Sequence, residues 1–200
     1  MIDIGFIGLG TMGRPMAAHL QTAGHRLFLH DVAPIPPELV AAGGVVCKSG
    51  KEVAEKADVV IIMVPDTPHV EAVLFGKDGV AEGLSKGQIV VDMSSISPLA
   101  TKEFARKVEA LGADYLDAPV SGGEVGAKAA SLTIMVGGPE RAFNAVKPVF
   151  DRMGKNVTLK VHPGTGHAFM GPHNALGTLD EKLAAQIWPE VVSFLKDNVR

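Results

Sequence analysis

The strongest constraint in this chain is a set of three glycines near its start. Gly8-Leu9-Gly10-Thr11-Met12-Gly13 follows an apolar, strand-like segment, Ile2–Gly8, and opens a helix-like stretch, Met12–Ala23. A strand that runs straight into a helix must turn within a few residues, and each glycine of this spacing answers a separate demand. Gly8 permits the tight turn, Gly10 lets the main chain approach a pyrophosphate, and Gly13 lets the helix pack closely on the strand. Leu9, Thr11 and Met12 sit between them, where the first helical turn offers unpaired N–H groups to an anion. A turn that merely favours glycine is the alternative. The order strand, turn, helix favours the dinucleotide fingerprint.

Asp31 stands 18 residues beyond Gly13, at the end of a second strand candidate, Arg26–His30. A carboxylate there accepts hydrogen bonds from the adenosine ribose hydroxyls and repels a 2′-phosphate. Val32, Ala33 and Pro34 supply no arginine or lysine to receive such a phosphate, so NAD is expected in preference to NADP. A solvated turn aspartate is the competing explanation.

Strand-like and helix-like segments alternate beyond this point. Gly44–Val46, Val59–Val64, Ile89–Met93, Tyr115–Ala118, Leu132–Val136 and Asn156–Val161 read as strands, several of them continuous Val/Ile runs that suit burial on both faces. Ala33–Leu39, with three prolines, reads as a loop leading into a short helix. Another helix has Ser97 as N-cap, Pro98 at its first position, Phe104, Val108 and Leu111 on one face, and Gly112 as terminator. The expected fold class is α/β, a doubly wound, mostly parallel Rossmann-type sheet.

Composition removes the competing classes. Two hundred residues at 46% hydrophobic, with a net charge of −3, describe a globular chain without the basic stripe that nucleic acid demands. The longest apolar stretch, Val59 to Val64, is too short to cross a bilayer, so neither a nucleic acid nor a membrane is expected as partner. No basic, apolar leader precedes the first strand, and Cys47 is the only cysteine, which points to a reducing, cytoplasmic compartment. Cys47 itself reads as a small buried residue.

The residues from Met1 to about Thr158 resemble the β-hydroxyacid dehydrogenase family. Gly5-Phe-Ile-Gly-Leu-Gly-Thr-Met-Gly-Arg-Pro-Met-Ala17 is similar to its opening signature. Met63-Val-Pro-Asp-Thr-Pro-His-Val70 is similar to its loop beside the adenosine and ribose, which makes Val64 and Pro65 lining residues. Asp92-Met-Ser-Ser-Ile-Ser-Pro98 corresponds to its loop near the nicotinamide, with Ser94 and Ser95 placed for hydrogen bonds to cofactor or substrate; a helix-capping serine cluster is the alternative. Asp117-Ala-Pro-Val-Ser-Gly-Gly123 matches the segment that holds a small-molecule carboxylate substrate through Ser121 and the main chain of Gly122 and Gly123, with a plain Gly-Gly turn as alternative. The resemblance implies hydride transfer between a nicotinamide and a short β-hydroxy acid or its semialdehyde. It also implies an all-helical C-terminal domain carrying a proton-transfer lysine, and the motif of that lysine does not follow Thr158. The catalytic residue is therefore left unassigned, Lys182 reads as a surface lysine, and no metal site is expected.

From Lys160 to Leu195 the chain is similar instead to the C-terminal end of dienelactone hydrolase-type α/β hydrolases, with His167 at the position of their histidine. No G-x-S-x-G or G-x-C-x-G nucleophile accompanies it, so hydrolase activity is not expected. His162, His167 and His173 fit no zinc spacing. The expected organisation is a dinucleotide-binding domain over residues 1–158 and a strand-loop-helix tail over 159–200 that does not fold alone. A catalytically silent NAD-binding or oligomerisation module is the rival reading, with a homo-oligomer formed through the face left by the helical domain.

Overall fold

The computed structural model describes residues 1–159. Lys182 and the histidines at 162, 167 and 173 lie outside the described residues, as do the last two positions of the strand expected over Asn156–Val161 and nearly all of the expected tail. Chain order is β1 (Asp3–Ile7), α1 (Gly13–Thr22), β2 (Arg26–His30), α2 (Pro37–Ala41), β3 (Val45–Val46), α3 (Gly50–Ala54), β4 (Val59–Ile62) and α4 (Thr67–Phe75). After a short 3-10 turn at Val80–Glu82 come β5 (Ile89–Asp92), α5 (Pro98–Ala110), β6 (Asp114–Asp117), β7 (Val120–Ser121), α6 (Gly123–Lys128), β8 (Leu132–Val136), α7 (Glu140–Phe150) and β9 (Gly154–Leu159).

Six strands pair in the order β3-β2-β1-β4-β5-β6, every pair parallel. The chain leaves β1 towards one edge and returns to the other side of it at β4. The crevice at the carboxyl ends of β1 and β4 is therefore the topological switch point, where open α/β sheets take ligands. Val59–Ile62 and Ile89–Asp92 are buried at every position, which is why they read as apolar runs, broken only by Asp92 at the end of β5. Ile4, Phe6, Ile61 and Val91 face a core shared with Met16, Ala17 and Leu20 of α1 and with Val146 and Phe150 of α7. Val60, Ile62 and Val90 face the opposite core, with Val53 of α3, Leu74 of α4 and Phe104 and Val108 of α5. Helices thus cover both faces, and the doubly wound expectation holds.

Three features add to or depart from the sequence reading. Leu132–Val136 is the strand expected, but it lies outside the six-stranded parallel sheet. It runs antiparallel to β7 and parallel to β9 in a second sheet, joined to β6 through the reciprocal main-chain bonds of Asp117 and Gly137 at 3.0 and 2.7 Å. Leu111 does not extend the buried face of Phe104 and Val108. It occupies the C-cap, one residue past the last helical position, and is 46% exposed, while Gly112 turns the chain away at φ +85° as expected. Ser97 holds the N-cap position without a side-chain cap. Its N–H instead donates to Thr67 Oγ1 at 3.0 Å, and Thr101 N–H donates back to its carbonyl at 2.9 Å. Cys47 is buried, as expected, and burial pushes its thiol up. Among the described residues no helix is long and apolar enough to cross a membrane.

Candidate functional site

The glycine loop leaves β1 at the carboxyl edge of the sheet, and the three glycines differ in what constrains them. Gly8 has φ +93°, and a Cβ on it would stand 2.1 Å from the Met63 carbonyl oxygen. A Cβ on Gly13 would stand 1.9 Å from the Gly8 carbonyl oxygen. Both positions are closed by the protein's own main chain. Around Gly10, by contrast, a Cβ would meet nothing within 4 Å among the described residues. The protein leaves that position open, and it is exposed together with Thr11. No side chain caps α1, whose N-cap is Met12, and no acidic residue lies in its first turn, so its N–H groups meet no competing carboxylate of their own helix. This arrangement fits a pyrophosphate: an open cradle at Gly10 beside an uncapped helix start.

Asp31 lies at the end of β2 and binds the loop directly. Leu9 N–H donates to its Oδ2 at 2.5 Å, and Ala33 N–H to its Oδ1 at 2.8 Å. The carboxylate thus braces the turn of β1 against the turn of β2. Each carboxylate oxygen retains a further lone pair that points away from these bonds.

A cleft of about 620 Å³ opens on the outer side of this loop, lined by Leu9, Gly10, Thr11, Arg14 and, across from them, Glu124 and Lys128 of α6. α6 begins at Gly123, directly after Ser121 and its N-cap Gly122; all three are exposed, with positive φ at both glycines. His19 of α1 holds the two helices together, its Nε2 lying 3.0 Å from the Ala127 carbonyl and 3.1 Å from that of Lys128. The glycine loop and Glu124 and Lys128 of α6, more than a hundred residues apart in sequence, therefore border one cleft, and Ser121 and Gly122 lie just before α6 in the chain. Sequence reading assigned His19 no part in this.

The loops after β4 and β5 form the next section of the edge. Val64 is half-buried and Pro65 exposed. Ser94 and Ser95 take different places: Ser94 is 1% exposed and Ser95 is open to solvent. Val64 N–H donates to Ser94 Oγ at 3.1 Å. Ser94 N–H donates to Asp92 Oδ1 at 2.9 Å, and the Tyr115 hydroxyl to Asp92 Oδ2 at 2.9 Å. Asp117 pairs with Asp92 across the parallel strands. This buried group was missed, because a carboxylate inside an apolar Val/Ile strand reads as its polar end.

Burial raises the Asp92 carboxyl, against the hydrogen bonds from Ser94 and Tyr115 that favour its charge. Tyr115 is pushed up by burial and then by the Asp92 charge. Asp117 is pushed up from the ordinary 3.8 to about 7, first by burial and then by Asp92. Its folded pKa lies above its unfolded one, so the folded chain binds more protons between those values. The associated stability is complete below pH 3.8 and is lost as pH rises through about 7. Asp117→Asn is expected to leave stability near pH 3.5 unchanged and to raise it increasingly above pH 4, by roughly 2–4 kcal/mol at pH 8. Urea unfolding at the two pH values checks this.

Comparison with known proteins agrees with this geometry. Residues 3–161 match the family described as the NAD binding domain of 6-phosphogluconate dehydrogenase. The chain is 54% identical over 165 residues to the 2-hydroxy-3-oxopropionate reductase of Escherichia coli K12, covering 82% of this chain and 56% of the reductase. It is 44% identical over 166 residues to the mitochondrial 3-hydroxyisobutyrate dehydrogenase of mouse, covering 82% of this chain and 50% of that enzyme. Among solved structures, Mycobacterium tuberculosis 3-hydroxyisobutyrate dehydrogenase with L-serine superposes with a TM-score of 0.73 at 38% identity, over 80% of this chain and 55% of that one. The chain spans about half the length of these relatives. With its parallel sheet, its glycine loop and the match over nearly all of the described residues, the chain belongs to the family of the NAD binding domain of 6-phosphogluconate dehydrogenase.

Proposed function

We propose that this chain is the nucleotide-binding part of an oxidoreductase that acts on a short β-hydroxy acid or its semialdehyde, and that it prefers NAD to NADP. The observation that carries the reading is the open Gly10 between the closed Gly8 and Gly13, with Asp31 fixed beside them. Gly10, Thr11 and Met12 hold the pyrophosphate through main-chain N–H groups, and Asp31 receives the ribose hydroxyls. Val64 and Pro65 line the adenosine side, and Ser95 is the exposed hydroxyl at the nicotinamide side. Ser121 and the N–H groups of Gly122 and Gly123, all exposed at the start of the helix whose Glu124 and Lys128 line the cleft, hold the substrate carboxylate. The bound nicotinamide supplies the hydride chemistry. The group that serves the hydroxyl proton is assigned to no described residue. The substrate class rests on the names of the relatives, which act on 2-hydroxy-3-oxopropionate and 3-hydroxyisobutyrate.

Calorimetric titration of the purified chain with NADH and, separately, NADPH tests the reading. Saturable NADH binding, at least several-fold tighter than NADPH, is expected. A folded chain that binds neither overturns it. NADH-dependent reduction of 2-hydroxy-3-oxopropionate then tests the activity, and binding without turnover at high enzyme concentration favours a silent nucleotide-binding module.

A further inference from the structure

The loops after β4 and β5 are separate in sequence, yet they form one continuous wall of the switch-point crevice. A single hydroxyl joins them where they leave the sheet. Ser94 Oγ accepts from Val64 N–H at 3.1 Å, and Ser94 N–H donates to Asp92 Oδ1 at 2.9 Å. That carboxyl is 0% exposed and also receives the Tyr115 hydroxyl. A serine hydroxyl has one proton and two lone pairs. Asp92 therefore fixes the Ser94 main chain at the point where a lone pair of the hydroxyl meets Val64 N–H. Tyr115, one strand further on and two residues before Asp117, holds Asp92 from the other side with its hydroxyl.

Resting on the proposed nucleotide-binding function, we infer that Asp92 is a positioning residue that locks Ser94 as a clamp between the two loops, setting the wall against which the nicotinamide end of the cofactor lies. Ser94, buried on this clamp, acts through the loops. Ser95, its exposed neighbour, is the hydroxyl left free to touch the ligand. The loops are also tied further out, where Ser97 N–H donates to Thr67 Oγ1 at 3.0 Å. Loss of the inner clamp therefore loosens the wall at Val64 without detaching the loops.

The test combines two readouts on Asp92→Asn and on the milder Tyr115→Phe, which removes one donor and keeps the ring. Exchange of the Val64 amide, followed by NMR on the unliganded chain, reports the clamp itself. It is expected to accelerate at least tenfold in Asp92→Asn and less in Tyr115→Phe. Affinities for NADH and for ADP-ribose, which lacks the nicotinamide, report what the clamp positions. NADH binding is expected to weaken about tenfold, and ADP-ribose binding, which lacks the nicotinamide end but keeps the Val64 side, by about threefold or less. Unchanged Val64 exchange in both variants overturns the inference, and so does equal weakening of the two ligands. If Asp92→Asn fails to fold, Tyr115→Phe carries the same two readouts. A wild-type chain that binds neither ligand overturns the nucleotide-binding reading instead, while Val64 exchange still decides whether the clamp exists.

Discussion

Gly8→Ala is expected to lower folding stability by about 2–5 kcal/mol and to remove NADH binding, whereas Gly10→Ala leaves stability within about 0.5 kcal/mol and removes the binding alone. The first figure combines two costs. A Cβ at Gly8 would be driven into the Met63 carbonyl oxygen at 2.1 Å, with its carbon at 2.8 Å and Val64 Cγ1 at 2.9 Å. Two of these three atoms are main chain of a buried parallel strand's exit, which has little room to yield. The residue would also have to keep φ +93°, a region that costs an L side chain roughly 1–2 kcal/mol. At Gly10 neither cost arises, because φ is not positive and no atom of the described residues lies within 4 Å of the added methyl. Among the described residues it obstructs nothing, so the body it is expected to obstruct is a ligand. Urea unfolding followed by circular dichroism, alongside titration with NADH, separates the two outcomes. If Gly10→Ala binds NADH with wild-type affinity, the main chain at Gly10 does not approach a pyrophosphate, and the glycine pattern is only a turn.

That contrast also shows how far the sequence could be read. Gly8 and Gly13 are legible because a tight strand-to-helix turn makes the same steric demand in any chain that has one, and both prove to be closed by main-chain atoms. The parallel core was legible for a similar reason: a strand buried on both faces must be apolar at every position, and Val59–Ile62 and Ile89–Asp92 nearly are. What escaped were relations between distant segments. Leu132–Val136 shows the same apolar run as the core strands, and composition cannot tell that it pairs antiparallel with the two-residue β7. His19 meets carbonyls more than a hundred residues away. Asp92 and Tyr115 are 23 residues apart and meet only because β5 and β6 lie side by side. Leu111 was misjudged because helical periodicity continues on paper past the residue where the backbone stops being helical. The histidines and the lysine of the expected tail lie outside the described residues, so the break in family resemblance after Thr158 is a property of the sequence alone.

Asp31 carries the second large effect, and it divides into two parts because the carboxylate has two tasks. Two of its lone pairs are taken by Leu9 N–H and Ala33 N–H, at 2.5 and 2.8 Å, which fixes the glycine loop and the turn after β2. Two lone pairs remain, one on each oxygen, and they match the two hydroxyls of an adenosine ribose. Hydrogen bonds to a charged acceptor contribute about 1.5–3 kcal/mol each. Asp31→Ala loses both sets, so NADH affinity is expected to fall on the order of 10²-fold or more, with a lowered melting temperature as the Leu9 N–H loses its partner. Asp31→Asn keeps the shape and one acceptor oxygen but discards the charge. NADH is then expected to weaken about tenfold, and NADPH to weaken less or to gain, because the 2′-phosphate no longer meets a carboxylate. The ratio of the two affinities is the decisive quantity, since damage to the glycine loop alone would weaken both cofactors alike. An unchanged ratio in Asp31→Asn would mean that Asp31 only braces the loop and that the preference for NAD is set elsewhere along the crevice.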